Sequence, residues 1–269
     1  MMAWIFGLAL FLVLSPLAVV LLIWLRSELT FKQTIMWTIN YVIAKGMWRT
    51  KLENPLPVRS GQGAVIVANH RSGIDPCLIQ VSVRRVVYWM VAREYVQAKF
   101  IGSVLRALQV IPVGRGGVDT AATKLAIRLA QEGGLVGMFP EGQINQTTDQ
   151  LLLPGRPGAA LVALKARVPI IPVYIEGAPY DGTPTGSLKM RANVRVRFGE
   201  PIDLSPYFDR EREDGVTQEI TKLAMREMAK LAGHPEFEPQ LAGRRWKHAD
   251  GEAAAGGEGE GDAETAGAA

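Results

Sequence analysis

Six short apolar runs in the middle of this 269-residue chain limit what it can fold into. They read as strands at 64–68, 86–92, 109–113, 135–139, 170–175 and 192–198. Between them, Val118, Ala121, Ala122, Leu125, Ala126 and Leu129 recur at helical spacing, and Val96–Leu108 and Ala159–Ala166 read as two further helices. Strands that alternate with helices predict the α/β class, with a largely parallel sheet covered on both faces. An amphipathic helix over 216–232, with Ile220, Leu223, Ala224, Met228 and Leu231 on one side, closes the pattern.

The ends of the chain have a different character. Residues 1–25 contain no charged side chain, and about 20 apolar residues suffice to span a bilayer, even with Pro16 near the middle. A secretory signal would carry a basic start and a shorter apolar core, and neither is present. Arg26, Lys32, Lys45, Arg49 and Lys51 follow the segment, so the positive-inside rule places the globular part in the cytoplasm. Over 29–48 an apolar face coexists with Lys32, Gln33, Asn40 and Lys45, while Trp37, Tyr41 and Trp48 are rings suited to the headgroup level. The stretch reads as an amphipathic helix on the membrane surface; a helix packed on the domain's own core is the alternative. Asn54-Pro55-Leu56-Pro57 breaks it. The expected organisation is a membrane helix at 1–25, an interfacial helix at 26–54, a catalytic domain at 55–235 and an acidic Gly/Ala-rich tail at 236–269. That tail is expected to be disordered from 249.

Charge sharpens the reading. All 30 Lys and Arg, but only 20 of the 26 acids, precede Ala249, so residues 1–248 carry a net +10. A basic body suits phospholipid head groups, a phosphorylated substrate or nucleic acid, or is simply a solvated surface. No recognisable nucleic-acid module accompanies the basic residues, so no nucleic-acid partner is expected. The single cysteine, Cys77, leaves no internal disulfide and suits a cytoplasm-facing domain. One Cys and three scattered histidines predict no metal site. Gly61-Gln62-Gly63 precedes its strand, which is the wrong side for a dinucleotide fingerprint.

The chemistry concentrates after the first apolar run, in Asn69-His70-Arg71-Ser72-Gly73-Ile74-Asp75-Pro76. A base and a carboxylate five residues apart across a glycine turn can meet if the chain folds back. His70 could then take a proton from a hydroxyl while Asp75 fixes its tautomer. Asp75-Pro76 is equally a good helix start, with Asp as N-cap and Pro at the first helical position.

Asn69-His70-x4-Asp75 resembles the first motif of the glycerolipid acyltransferases, the 1-acylglycerol-3-phosphate acyltransferase family. Val110-Ile111-Pro112-Val113-Gly114-Arg115 resembles the second, Phe139-Pro140-Glu141-Gly142 the third and Val168-Pro169-Ile170-Ile171-Pro172-Val173 the fourth. All four occur in the family's order across residues 60–200. The resemblance implies an αβ acyltransferase domain with His70 and Asp75 catalytic and with Asn69, Arg115, Glu141 and Gly142 binding the acceptor. Arg115 would take the acceptor's phosphate. It further implies acyl-CoA or acyl carrier protein as donor, a lysolipid acceptor such as lysophosphatidic acid, a membrane setting and no cofactor. Transfer would be direct; Ser72 and Cys77 lie close enough in sequence to His70 to offer an acyl-enzyme route instead. No G-x-S-x-G elbow is present. Arg93-Glu94 resembles the basic–acidic pair usual upstream of the second motif, with a structural role.

The chain departs from the family where Thr and Arg normally follow the third motif. Gln143 and Ile144 stand there, and Lys124 or Arg156 are the candidates to replace the missing cation. A changed acceptor such as lyso-ornithine lipid, or a non-catalytic lipid-binding role, are the competing readings that this departure keeps open.

Overall fold

The computed structural model describes residues 2–114, 119–147, 149–183 and 186–243, with the backbone alone for residues 2, 3 and 5–13. The six apolar runs become strands of one sheet: β2 (Ala64–Ala68), β3 (Val87–Ala92), β4 (Ile111–Val113), β5 (Leu135–Met138), β6 (Ile170–Glu176) and β7 (Arg195–Phe198). A seventh strand, β1 (Lys51–Leu52), joins at the edge, ahead of the boundary expected at 55. The order is β1-β7-β6-β2-β5-β3-β4. Strands β2 to β6 run parallel, and β7 is antiparallel to β6.

Each parallel crossover needs a helix. These are α3 (Asp75–Gln80), α4 (Arg93–Gln97) with α5 (Ile101–Ala107), α6 (Thr120–Gln131) and α7 (Gly158–Ala166); α1 (Met2–Leu25) and α2 (Phe31–Gly46) precede the sheet and α8 (Val216–Leu231) follows it. The helix expected over 96–108 is two helices, because Ala98 takes an extended backbone (ψ 141°) between α4 and α5. The strand expected to start at 109 starts at Ile111, because Gln109 turns through a positive φ of 56°. The strand expected at 192–198 is shortened. The amides of Ala192 and Val194 donate to the carbonyls of Met47 and Trp48, beyond the α2 end, before pairing with β6 begins.

Every residue of β2 is buried, and its side chains alternate between two cores. Val65 and Val67 join Val136 and Ile170 under α6, α7 and α8, through Ala126, Ala163, Leu164, Ile220 and Met228. Ala64, Ile66 and Ala68 face the other way, with Leu135, Ile171, Trp48, Trp89 and the α3 residues Leu78 and Ile79. Burying a Val, Leu or Ile side chain contributes roughly 1.5–3 kcal/mol each, so β2 is the stable centre from which the loops at its end are aimed.

α2 divides its faces. A capping box between Thr30 and Gln33 starts it. Trp37 donates its indole N–H to the carbonyls of Gln80 and Val83, and Trp48 is buried. These two rings are therefore part of the domain core and not headgroup anchors. The opposite face exposes Phe31, Ile35, Ile39, Tyr41, Val42 and Ile43. α1 exposes Trp4, Leu14, Leu17, Val19, Leu21, Leu22, Trp24 and Leu25. Among the described residues no helix is long and apolar enough to cross a membrane. The acidic tail, from 249, lies outside the described residues.

Candidate active site

Because β2, β5 and β3 are parallel, their C-terminal ends share one edge of the sheet, where open α/β sheets bind ligands. His70 follows β2 there, Glu141 follows β5, and α4 follows β3. His70 Nδ1 lies 2.9 Å from Asp75 Oδ2, and the His70 side chain is 17% exposed while that of Asp75 is fully buried. The carboxylate oxygen accepts the Nδ1 proton, which leaves the Nε2 lone pair as the basic atom.

Asp75 does not cap its helix. The N-cap is Ile74, and no side chain caps α3. Oδ2 instead also accepts the backbone N–H groups of Arg71 and Ser72, at 2.7 and 2.8 Å. One oxygen holds the imidazole and the turn together, and the buried Oδ1 has no partner among the described residues. An ionised carboxylate with three donors on one oxygen is well placed to stabilise an imidazolium.

The ring of His70 is also fixed by stacking. It lies on Phe139, with centroids 3.9 Å apart and planes 9° from parallel, and Phe139 lies on Trp89 at 4.8 Å and 14°. Trp89 on β3 is paired in register with Gly137 on β5. A Cβ at Gly137 would come within 2.5 Å of the Trp89 ring, so the small residue makes room for the stack. Phe139 was visible within the third motif; the roles of Trp89 and Gly137 had no local signal.

Three residues assigned to the acceptor take other places. Asn69 is buried, and its side-chain amide accepts the Ile175 N–H at 2.7 Å and donates to the Ile175 carbonyl at 2.9 Å. It extends the β2–β6 ladder by one rung, from a side chain only 1% exposed. Glu141 is fully buried; Oε1 accepts the His70 N–H at 2.7 Å and Oε2 the Leu153 N–H at 2.9 Å. Burial pushes its carboxyl up to about 7, against the two backbone donors that pull it down. Gly142 turns with φ +71°, and the Arg156 side chain passes over it, 3.0 Å from where a Cβ would be. Arg115, which the second motif offers to the phosphate, lies outside the described residues.

Arg71 was passed over in the sequence. Its guanidinium donates to the carbonyls of Asn145, Thr147 and Gln150 (the last at 2.8 Å), and the Asn145 N–H donates to the His70 carbonyl at 2.7 Å. The segment after Gln143-Ile144 is thus clamped onto the His70 turn. Arg71, Asn145, Thr147, Tyr174, Glu176 and Tyr180 line a cavity of about 330 Å³ beside that turn.

Neither acyl-enzyme candidate is set up as an activated nucleophile. Ser72 is fully buried, its hydroxyl oxygen facing the Ile74 amide. Burial, reinforced by the Asp75 charge, pushes the Cys77 thiol up to about 11, so the thiolate is scarce at neutral pH. Among the described residues no group of three His, Cys, Asp or Glu could hold a metal ion.

An α/β domain with a His–Asp pair at the ends of its parallel strands can carry general-base chemistry, and comparison with known proteins says which. The acyltransferase family model matches residues 49–176, which include His70, Asp75 and Glu141. A 1-acyl-sn-glycerol-3-phosphate acyltransferase of Bacillus subtilis (strain 168) is 27% identical over 177 residues, 64% of this chain and 84% of that protein. The Homo sapiens 1-acyl-sn-glycerol-3-phosphate acyltransferase beta is 33% identical over 129 residues, 46% of this chain and 45% of that protein. The crystal structure of the acyltransferase PlsC from Thermotoga maritima shares the fold, with TM-score 0.56 and 20% identity, covering 78% of this chain and 87% of that one. Residues 49–176 match the acyltransferase family, and the chain is an acyltransferase similar to the 1-acyl-sn-glycerol-3-phosphate acyltransferases.

Proposed function

We propose that this enzyme moves a fatty acyl group from acyl-CoA or acyl carrier protein to the sn-2 hydroxyl of 1-acylglycerol-3-phosphate, giving phosphatidic acid. The observation that carries the reading is the 2.9 Å contact between His70 Nδ1 and Asp75 Oδ2, which leaves Nε2 as the base. Nε2 takes the hydroxyl proton as the oxygen attacks the thioester carbonyl. The tetrahedral intermediate collapses, the C–S bond breaks, and the imidazolium returns its proton to the departing thiolate. Proton transfer of this kind contributes about 10²–10⁴-fold. Both substrates keep their own nucleophile and leaving group, so no enzyme acyl intermediate is needed.

Asn69 and Glu141 act through backbone position: one fixes the end of β2 against β6, the other fixes the His70 amide. Arg115 takes the acceptor phosphate, and Arg156, which passes over Gly142, supplies the cation absent at Ile144. The charge-free residues 1–25 and the exposed face of α2 hold the enzyme to phospholipid, with the domain on the cytoplasmic side. Gln143-Ile144 favours a second reading, the same transfer to a lysolipid with another head group, lyso-ornithine lipid among them.

The test is acyl transfer by the full chain in detergent, with lysophosphatidic acid or lyso-ornithine lipid offered separately, acyl-CoA or acyl carrier protein as donor, and products read by mass spectrometry. Phosphatidic acid from wild type and none from His70→Ala supports the proposal. Product from lyso-ornithine lipid alone replaces the acceptor, and lipid bound without turnover on any pairing overturns the proposal.

A further inference from the structure

The turn between α4 and α5 carries an apolar tip that no part of the described chain covers. Phe100 is 89% exposed, and Ile101 and Val104 beside it are 38% and 46% exposed. A rigid base supports them. Gly102 is buried where a Cβ would meet the Val96 carbonyl at 2.3 Å, and the Arg106 guanidinium donates to that same carbonyl at 2.7 Å. Lys99, also exposed, stands next to Phe100. A phenylalanine held outward on a braced turn beside an ammonium has the chemistry of an anchor at a lipid headgroup boundary.

Two connections give the tip its setting. The chain leaves β3 into α4 at the sheet edge that carries His70. At its other end α5 meets α2: Gln33 Nε2 donates to Gln109 Oε1 at 3.0 Å and to the Ala107 carbonyl at 3.5 Å. The exposed apolar face of α2 begins beside Gln33 with Phe31 and Ile35.

We infer that the α4–α5 turn is a second membrane contact, in which Phe100, Ile101 and Val104 enter an anionic phospholipid surface and hold the His70 edge of the sheet against it. This rests on the acceptor being a membrane lysolipid. A second protein copy is the poorer occupant, because a stable protein interface needs about 800 Å² on each side, more than three side chains present. A bilayer needs no complementary shape. With two contacts, at α1–α2 and at α4–α5, the domain is held in orientation and not merely tethered, and a lysolipid hydroxyl reaches His70 without leaving the bilayer.

The experiment uses the full chain reconstituted into phosphatidylglycerol-containing vesicles. Phe100→Cys and, separately, Gln218→Cys on the exposed side of α8, each in a chain that also carries Cys77→Ala, are labelled with an environment-sensitive fluorophore. Nitroxide-bearing lipids quench the label at 100 and aqueous iodide does not, and position 218 shows the reverse. Iodide quenching at 100 as strong as at 218 overturns the inference, and so does protection from both quenchers that grows with protein concentration, which marks a second copy. In parallel, Phe100→Ser raises KM for vesicle-borne lysolipid about tenfold and leaves turnover on detergent-dispersed lysolipid unchanged; an unchanged KM in vesicles also overturns it. If wild type acylates no lysolipid, the proposed function falls, while the quenching still reports where the turn sits.

Discussion

Glu141 reaches the backbone amide of His70, with Oε1 2.7 Å from the nitrogen. Its other oxygen holds Leu153, so the third motif acts on the first through the main chain, from inside the protein. Removing this carboxylate leaves two buried N–H groups without acceptors, each costing about 1–3 kcal/mol. Glu141→Ala is expected to lower the unfolding free energy by about 2–4 kcal/mol and to cut kcat by misplacing the imidazole. Urea unfolding and steady-state kinetics on one preparation separate the two losses, and an unchanged midpoint in urea would exclude the strut.

The same carboxylate gives a pH signature. Burial raises its folded pKa from the ordinary carboxylate value of 4.5 to about 7. Between these values the folded state binds more protons than the unfolded one, so stability is fully present below about pH 4.5 and is lost as pH rises to 7. The loss is about 3 kcal/mol. Glu141→Gln, which cannot titrate, should show a smaller fall in unfolding free energy between pH 4.5 and 7.5 than wild type. Parallel curves would refute the assignment.

Asp75→Asn keeps an oxygen for the backbone N–H groups of Arg71 and Ser72 but removes the charge beside His70. The expected result is a fold that persists and a kcat lower by about 10²–10⁴-fold. Circular dichroism establishes the first and single-turnover acyl transfer the second; transfer at near wild-type rate would rule out imidazolium stabilisation by Asp75.

Gly137→Ala tests the ring stack from below. The added methyl meets the Trp89 ring and displaces it against Phe139, and through Phe139 against His70. Overpacking of this kind costs about 1–3 kcal/mol. Activity should fall although the variant touches no substrate, and Trp89→Phe, which shrinks the ring, should restore part of it in the double variant. Failure of that rescue would detach the stack from catalysis.

Asn69→Ala removes the rung that joins β2 to β6 and unpairs both polar groups of Ile175. A stability loss of about 2–4 kcal/mol, with KM for the acceptor unchanged once the protein is folded, distinguishes this role from acceptor binding. Thermal unfolding and acceptor titration decide it.

Much of this was legible in the residues themselves. Apolar runs and helical spacing marked β2 to β7 and α6 to α8 because buried strands and amphipathic helices carry their own period. His70 and Asp75, five residues apart, were paired from spacing, and the four motifs named the chemistry. Local sequence could not assign Asn69, Glu141 or Arg71, since each has a partner 71 to 106 residues away. Whether a polar side chain meets substrate or backbone depends on strand order, and strand order is a property of the whole sheet. Trp37 and Trp48 show the same limit: an amphipathic ring suits a headgroup or a core pocket equally, and only the packing of α2 on α3 and β7 decided between them. The sequence determined the class of fold and the pairing of His70 with Asp75, because both follow from local periodicity and short spacing. The tertiary structure decided which backbone groups Asn69, Glu141 and Arg71 hold, because those contacts join distant segments.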